Sequence, residues 1–136
     1  MVCMGNICRS PMAEAVAAAM VEEAGLSDRV SVESFGAVGF HIGEPAFPPA
    51  VSALRRGGWK PTDHRARRVE REDVDRIDLV LCLDRANLAD VRRLAGDRAG
   101  GKIHLLREYD PQSVAPDNEV PDPGAAPTAV TTPRWP

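Results

Sequence analysis

Cys3-Met4-Gly5-Asn6-Ile7-Cys8-Arg9-Ser10 sets a thiol and a guanidinium six positions apart in a glycine-containing turn that runs straight into Pro11-Met12-Ala13-Glu14. A turn of this kind points successive backbone N–H groups inward, and the helix that follows adds its unpaired N-terminal amides and positive dipole end. The pattern predicts an anion trap with a nucleophile at its base. Met4, Gly5, Asn6, Ile7, Cys8 and Ser10 form its wall, and Arg9 closes the ring, its planar fork matched to two phosphate oxygens. The same field favours the thiolate of Cys3, the form in which sulfur attacks. Ser10, just before Pro11, is placed either to cap the helix or to donate to the sulfur as it leaves.

Outward from this turn, Ala13, Val16, Ala17, Met20 and Ala24 recur at helical spacing, and Gly25 suits a C-terminal cap. Val30 and Val32 alternate with polar neighbours up to Ser34, which predicts a strand, and the stretch Gly36 to Pro49 reads as a long loop near the site. Pro49 opens a short helix through Val51, Leu54 and Arg55 that stops at Gly57-Gly58, while Thr62 to Val69 fits no single pattern. Leu79-Val80-Leu81-Cys82-Leu83 is a continuous apolar run of strand length, as expected of a parallel strand buried on both faces. Asp84 ends it. Leu88, Val91, Leu94 and Ala95 stripe a helix from Arg85 to Ala95 that ends at Gly96, and Ile103, Leu105 and Leu106 supply the last strand. Strands alternating with helices predict an α/β protein: an open parallel four-stranded sheet with right-handed crossovers and helices on both faces. Ligands of such sheets sit beyond the carboxyl ends of the strands, where Cys3, Ser34 and Asp84 all fall.

A chain of 136 residues, 43% of them hydrophobic, is expected to build one core. Seventeen basic and twenty acidic residues leave a net charge of −3, with the arginine-rich stretches interleaved by acids, so neither a nucleic acid nor a membrane is expected as a partner. No apolar run reaches the ~18 residues of a membrane span, and no secretory leader is visible. Three cysteines, at 3, 8 and 82, fit no zinc pattern, and their odd number suits a reducing compartment such as the cytoplasm.

From Gly5 to Glu14 the chain resembles the low-molecular-weight protein tyrosine phosphatases almost letter for letter, with Cys3 through Ser10 as the signature Cys-x-x-x-x-x-Arg-Ser. Ser34 to Gly43, His64-Arg65-Ala66-Arg67, Leu83-Asp84, Tyr109-Asp110-Pro111 and Val120-Pro121-Asp122-Pro123 continue the match in order. The resemblance implies a flavodoxin-like three-layer fold of the phosphotyrosine phosphatase I type, and hydrolysis of phosphotyrosine or another aryl phosphate monoester through a cysteinyl phosphate, without metal or cofactor. It assigns the role of acid, then base, to Asp122, held between two prolines. Asn6, Ser34 and His64 match positions that support the phosphate loop, and Phe40 matches an aromatic at the pocket entrance. The substrate implied is a phosphotyrosyl protein or a small aryl phosphate; oligomeric state is left open.

Several positions keep two readings. His64 is either a loop support or a half-exposed histidine beside Arg65; Phe40 and Trp59 either flank the pocket or cover the core. Asp84 either pairs with an arginine or caps the next helix, and Cys8 either joins Cys3 in a disulfide that shields it from over-oxidation or packs beneath the helix. Cys82 belongs to the core, and His41 and His104 carry only surface or strand placement. Only Met1 and Val2 precede Cys3, so the first strand is expected to be truncated, and the domain is expected to span residues 1–123 with a disordered Pro/Ala/Thr tail at 124–136. Arsenate reduction on the same fold is the competing activity, although it hands oxidation to a downstream cysteine pair and only Cys82 lies there. A truncated, non-catalytic phosphate-binding relic is the third reading.

Overall fold

The computed structural model describes residues 1–123. Its elements are β1 (Val2–Cys3), α1 (Arg9–Glu23), β2 (Phe35–Gly36), α2 (Pro48–Arg56), α3 (Arg71–Arg76), β3 (Val80–Cys82), α4 (Arg85–Ala95) and β4 (Ile103–Leu105), with short 3-10 turns at Gly96–Ala99 and Leu106–Tyr109. All pairings are parallel and the strand order is β2-β1-β3-β4. The chain therefore winds one way from β1 to β2 and the other way from β3 to β4. With right-handed crossovers that reversal sends α1 and α4 to opposite faces, and each has its own helical neighbour, α2 beside α1 and α3 beside α4. The crevice where the winding reverses lies between β1 and β3.

Although only two residues long, β1 is central. Val2 lies opposite both Phe35 and Cys82, and its carbonyl accepts from Leu83 N at 2.9 Å while Met1 O accepts from Phe35 N at 2.9 Å. Val80, Leu81 and Cys82 pair in turn with Ile103, His104 and Leu105. Val2, Phe35, Val80, Cys82, Ile103 and Leu105 from the sheet meet Val74 of α3 and Leu88, Val91 and Ala95 of α4 in a continuous apolar core. Asp84 caps α4 by accepting from Asn87 N at 2.8 Å. At the end of α1, Gly25 adopts φ +72°, Leu26 N reaches Val21 O and Gly25 N reaches Glu22 O, the paired closure of a Schellman motif.

Four local expectations change. The strand expected at Val30–Ser34 begins only at Phe35, and Val30 is exposed, because the polar residues between the valines meet no ladder partner until the chain reaches β1. Met20, expected on the inner stripe of α1, is 58% exposed; burial is confined to the first two turns around Arg9, Ser10, Pro11, Ala13 and Ala15. Leu106 leaves the last strand for a 3-10 turn. The helix α3 was not expected: it has one buried apolar residue, Val74, and starts from a Glu70/Asp73 capping box instead of a hydrophobic stripe. The tail expected at 124–136 lies outside the described residues.

Candidate active site

Cys3 ends β1 at the crevice, buried, with Sγ 3.0 Å from Ser10 Oγ. Ser10 lies inside the first turn of α1 and does not cap it. Its hydroxyl oxygen accepts from Asn6 Nδ2 at 2.8 Å, which leaves its proton for the sulfur or for Phe35 O at 3.3 Å.

Between Cys3 and α1 four carbonyls are held. Cys3 O accepts from Ala37 N at 2.8 Å, Met4 O from Val38 N at 3.0 Å, Asn6 O from His64 Nε2 at 2.5 Å and Ile7 O from Phe47 N at 2.7 Å. Among the described residues, the amides of Gly5, Asn6, Ile7, Cys8, Arg9 and Ser10 donate to no protein acceptor. A loop tethered by its carbonyls presents its N–H groups to the other side, which is the geometry of an anion nest.

Asn6 makes the turn possible. It is fully buried at φ +58°, a conformation Asn tolerates better than most side chains, and its amide bonds Ser10 Oγ, Ser34 Oγ (3.0 Å) and the backbone N–H of Arg67 (2.9 Å). Ser34 Oγ donates to Glu14 Oε2 at 2.6 Å, and that carboxylate lies 3.9 Å from His64 Nδ1. Because Asn6 O can only accept, His64 carries its proton on Nε2. His64 is thus buried and bonded to the loop, and Asn6, Ser34 and His64 form one hydrogen-bonded set around the Cys3–Ser10 segment. Glu14 and the Arg67 segment complete this network; both lie in stretches that carry the family resemblance, but neither had a role assigned, since each matters only through contacts distant in sequence.

Arg9 is 7% exposed. Its Nη1 donates to Asp84 Oδ2 at 2.7 Å and to Val120 O at 3.0 Å, and its Nη2 lies 3.6 Å from Asp122 Oδ2. Asp84 therefore does both things open to it, pairing with the arginine through one oxygen and capping α4 through the other. Asn87, buried beside it, donates to Asp84 Oδ1 at 3.0 Å and accepts from Met4 N at 3.3 Å when its amide is turned to suit its neighbours, a link that no sequence pattern announces.

Cys3, Cys8 and Cys82 are all free thiols, so the disulfide reading of Cys8 is not realised. Burial, then the neighbouring sulfur of Cys3, pushes the Cys8 thiol up to about 11; burial pushes Cys82 up to about 12. Phe40, 80% exposed, covers no core, while Trp59 folds onto the end of α2 beside Gly57. The ring of His41, tied to Glu44 at 2.7 Å, lies where a side chain on Gly5 would begin, 2.8 Å from that Cβ position. Its place on the phosphate loop was missed because a lone surface histidine has no signature. Among the described residues no group of three or more His, Cys, Asp or Glu could hold a metal ion, and no helix is long and apolar enough to cross a membrane.

A buried thiol beneath an amide-lined loop, at the reversal point of a doubly wound parallel sheet and beside an arginine, marks a cysteine-dependent phosphoryl-transfer protein. The chain belongs to the low molecular weight phosphotyrosine protein phosphatase family, whose sequence model matches residues 1–129. It is 48% identical over 123 residues to the low molecular weight protein-tyrosine-phosphatase of Streptomyces coelicolor, covering 90% of this chain and 74% of that one. Against the human low molecular weight phosphotyrosine protein phosphatase it is 41% identical, covering 82% and 71%. The crystal structure of YfkJ from Bacillus subtilis superposes with a TM-score of 0.84 at 36% identity, over 90% of this chain and 76% of that one. The protein is accordingly a protein tyrosine phosphatase, a phosphoric monoester hydrolase that works through a cysteinyl phosphate.

Proposed function

We propose that Cys3 is the nucleophile, Arg9 the phosphoryl-oxygen clamp and Asp122 the proton carrier of this phosphatase. The observation that carries the reading is the convergence of all three at one crevice, with Asp122 and Arg9 3.6 Å apart although they come from opposite ends of the described chain. The dianion of an aryl phosphate sits on the amides of Gly5 to Ser10, with Arg9 Nη2 and Nε spanning its equatorial oxygens. Cys3 Sγ attacks phosphorus in line, the P–O ester bond breaks, and Asp122 delivers its proton to the departing phenolate oxygen. Water then attacks the phosphocysteine while Asp122, now a carboxylate, takes a proton from that water. The S–P bond breaks, orthophosphate leaves, and Ser10 Oγ–H donates to the returning thiolate, 3.0 Å away.

Phe40 at the rim meets the aryl ring, so the substrate is a phosphotyrosyl protein or a small aryl phosphate. Loop amides and Arg9 supply the charge stabilisation a cation gives elsewhere, and the free thiols suit the cytoplasm. Arsenate reduction finds no relay here, because Cys82 is fully buried in β3. The test is release of p-nitrophenol from its phosphate ester. Cys3→Ser is expected to abolish turnover, and Asp122→Asn to lower it about 10²-fold or more. Retained turnover in Cys3→Ser would refute the assignment.

A further inference from the structure

Asp122 has to stand over the loop, yet residues 110–122, which lead to it, contain no helix or strand. What fixes it is a set of side chains and one backbone bond. Val120 N donates to Leu83 O at 2.7 Å, and Arg9 Nη1 donates to Val120 O. One residue earlier, Glu119 is held from both sides. Its Oε1 accepts from the backbone N–H of Arg85 at 2.7 Å, at the start of α4, its Oε2 lies 3.3 Å from Arg85 Nη1, and its carbonyl accepts from Arg107 Nη1 at 2.9 Å. The Arg85 fork continues along the segment, with Nη1 donating to Pro116 O at 3.0 Å and Nη2 to Asn118 Oδ1. One guanidinium thus spans three residues of the segment that ends in Asp122.

We infer that Arg85 is a positioning residue for the acid: anchored on the first turn of α4, it holds residues 116–119 in register so that Asp122 reaches the leaving-group oxygen. Two features favour this over a purely structural bond. Arg85 directly follows Asp84, which grips Arg9, so one rigid helix start carries both the clamp on the phosphoryl-binding arginine and the clamp on the acid segment. Moreover, the Arg85 side chain makes no hydrogen bond or ion pair with the Cys3–Ser10 loop, so its influence should be confined to proton transfer. The inference rests on Asp122 being the acid, and its test separates the two.

The test measures kcat/KM, which reports phosphorylation of Cys3, for phenyl phosphate and for 2,4-dinitrophenyl phosphate, together with competitive inhibition by inorganic phosphate. Phenolate is a poor leaving group and needs the proton; dinitrophenolate does not. Arg85→Ala and Arg85→Lys, the second keeping charge but losing the fork, are each expected to lose roughly tenfold on phenyl phosphate, less than twofold on dinitrophenyl phosphate, and nothing in phosphate affinity. In an Asp122→Asn background the Arg85 substitutions are expected to have no further effect. Equal losses on both substrates, weakened phosphate inhibition, full rescue by lysine, or additive losses with Asp122→Asn would overturn the role of Arg85. If Asp122→Asn itself fails to discriminate between the two leaving groups, the assignment of the acid falls, and this inference falls with it.

Discussion

Cys8 and Cys82 are kept as thiols by burial, Cys8 up to about 11 and Cys82 up to about 12, which leaves Cys3 as the one sulfur set against the loop amides and a hydroxyl donor. Iodoacetate at pH 7 is therefore expected to carboxymethylate Cys3 alone, and inorganic phosphate to slow the reaction, as peptide mapping by mass spectrometry would show. Labelling of Cys8 at a comparable rate would contradict this. The Ser10 hydroxyl is the next single group to examine. A hydrogen bond to a charged partner contributes ~1.5–3 kcal/mol, so Ser10→Ala is expected to lower kcat by about 10- to 100-fold through slower departure of the thiolate. Burst kinetics would show the phosphoenzyme accumulating.

At the level of elements, the end of β2 bears directly on the phosphate loop. A Cβ on Gly36 would lie 2.9 Å from Val38 O, 3.0 Å from Met4 O and 3.1 Å from the carbonyl carbon of Gly5, all of them backbone atoms that cannot swing aside. Gly36→Ala is expected to destabilise the fold by about 1–3 kcal/mol and to raise the inhibition constant of phosphate, measured by thermal unfolding and by inhibition kinetics. How legible each element is in the sequence depends on where its reasons lie. Helix α4 is legible to the residue, because Asp84, the Leu88/Val91/Ala95 stripe and Gly96 are local signals that agree. So is the turn from Cys3 to Ser10, whose chemistry is written in eight consecutive residues. By contrast, β2 is displaced from the Val30–Val32 alternation because a two-residue strand is defined by its neighbour, and α3 has too little apolar periodicity to be seen. Glu14, Arg67, Asn87 and His41 join the site through contacts that only the folded chain creates.

Across the whole molecule, stability is expected to fall at both ends of the pH scale for different reasons. Hydrogen bonding from Arg76, helped by Arg67, holds the Glu33 carboxyl below its usual range. A depressed folded value contributes stability above the unfolded value of ~4.3, and that contribution is lost as pH falls through the folded one. Glu33→Gln should flatten the acid limb of the unfolding curve. Cys8 and Cys82 work in the opposite sense. Their raised values contribute stability in full below ~8.5, and it drains away as pH climbs toward about 11 and about 12, because the unfolded chain ionises first. Chemical denaturation from about pH 2 to about pH 11 checks both limbs. The sheet order has one more consequence. Since Cys3 ends the central strand and Asp122 comes far later in the described chain, a ribosome exposes the sulfur-bearing loop well before the carboxyl proposed to complete the site. With Asp122 as the proposed proton carrier, a half-made polypeptide carries the sulfur without its acid, so full phosphatase activity is expected only after translation has passed Asp122.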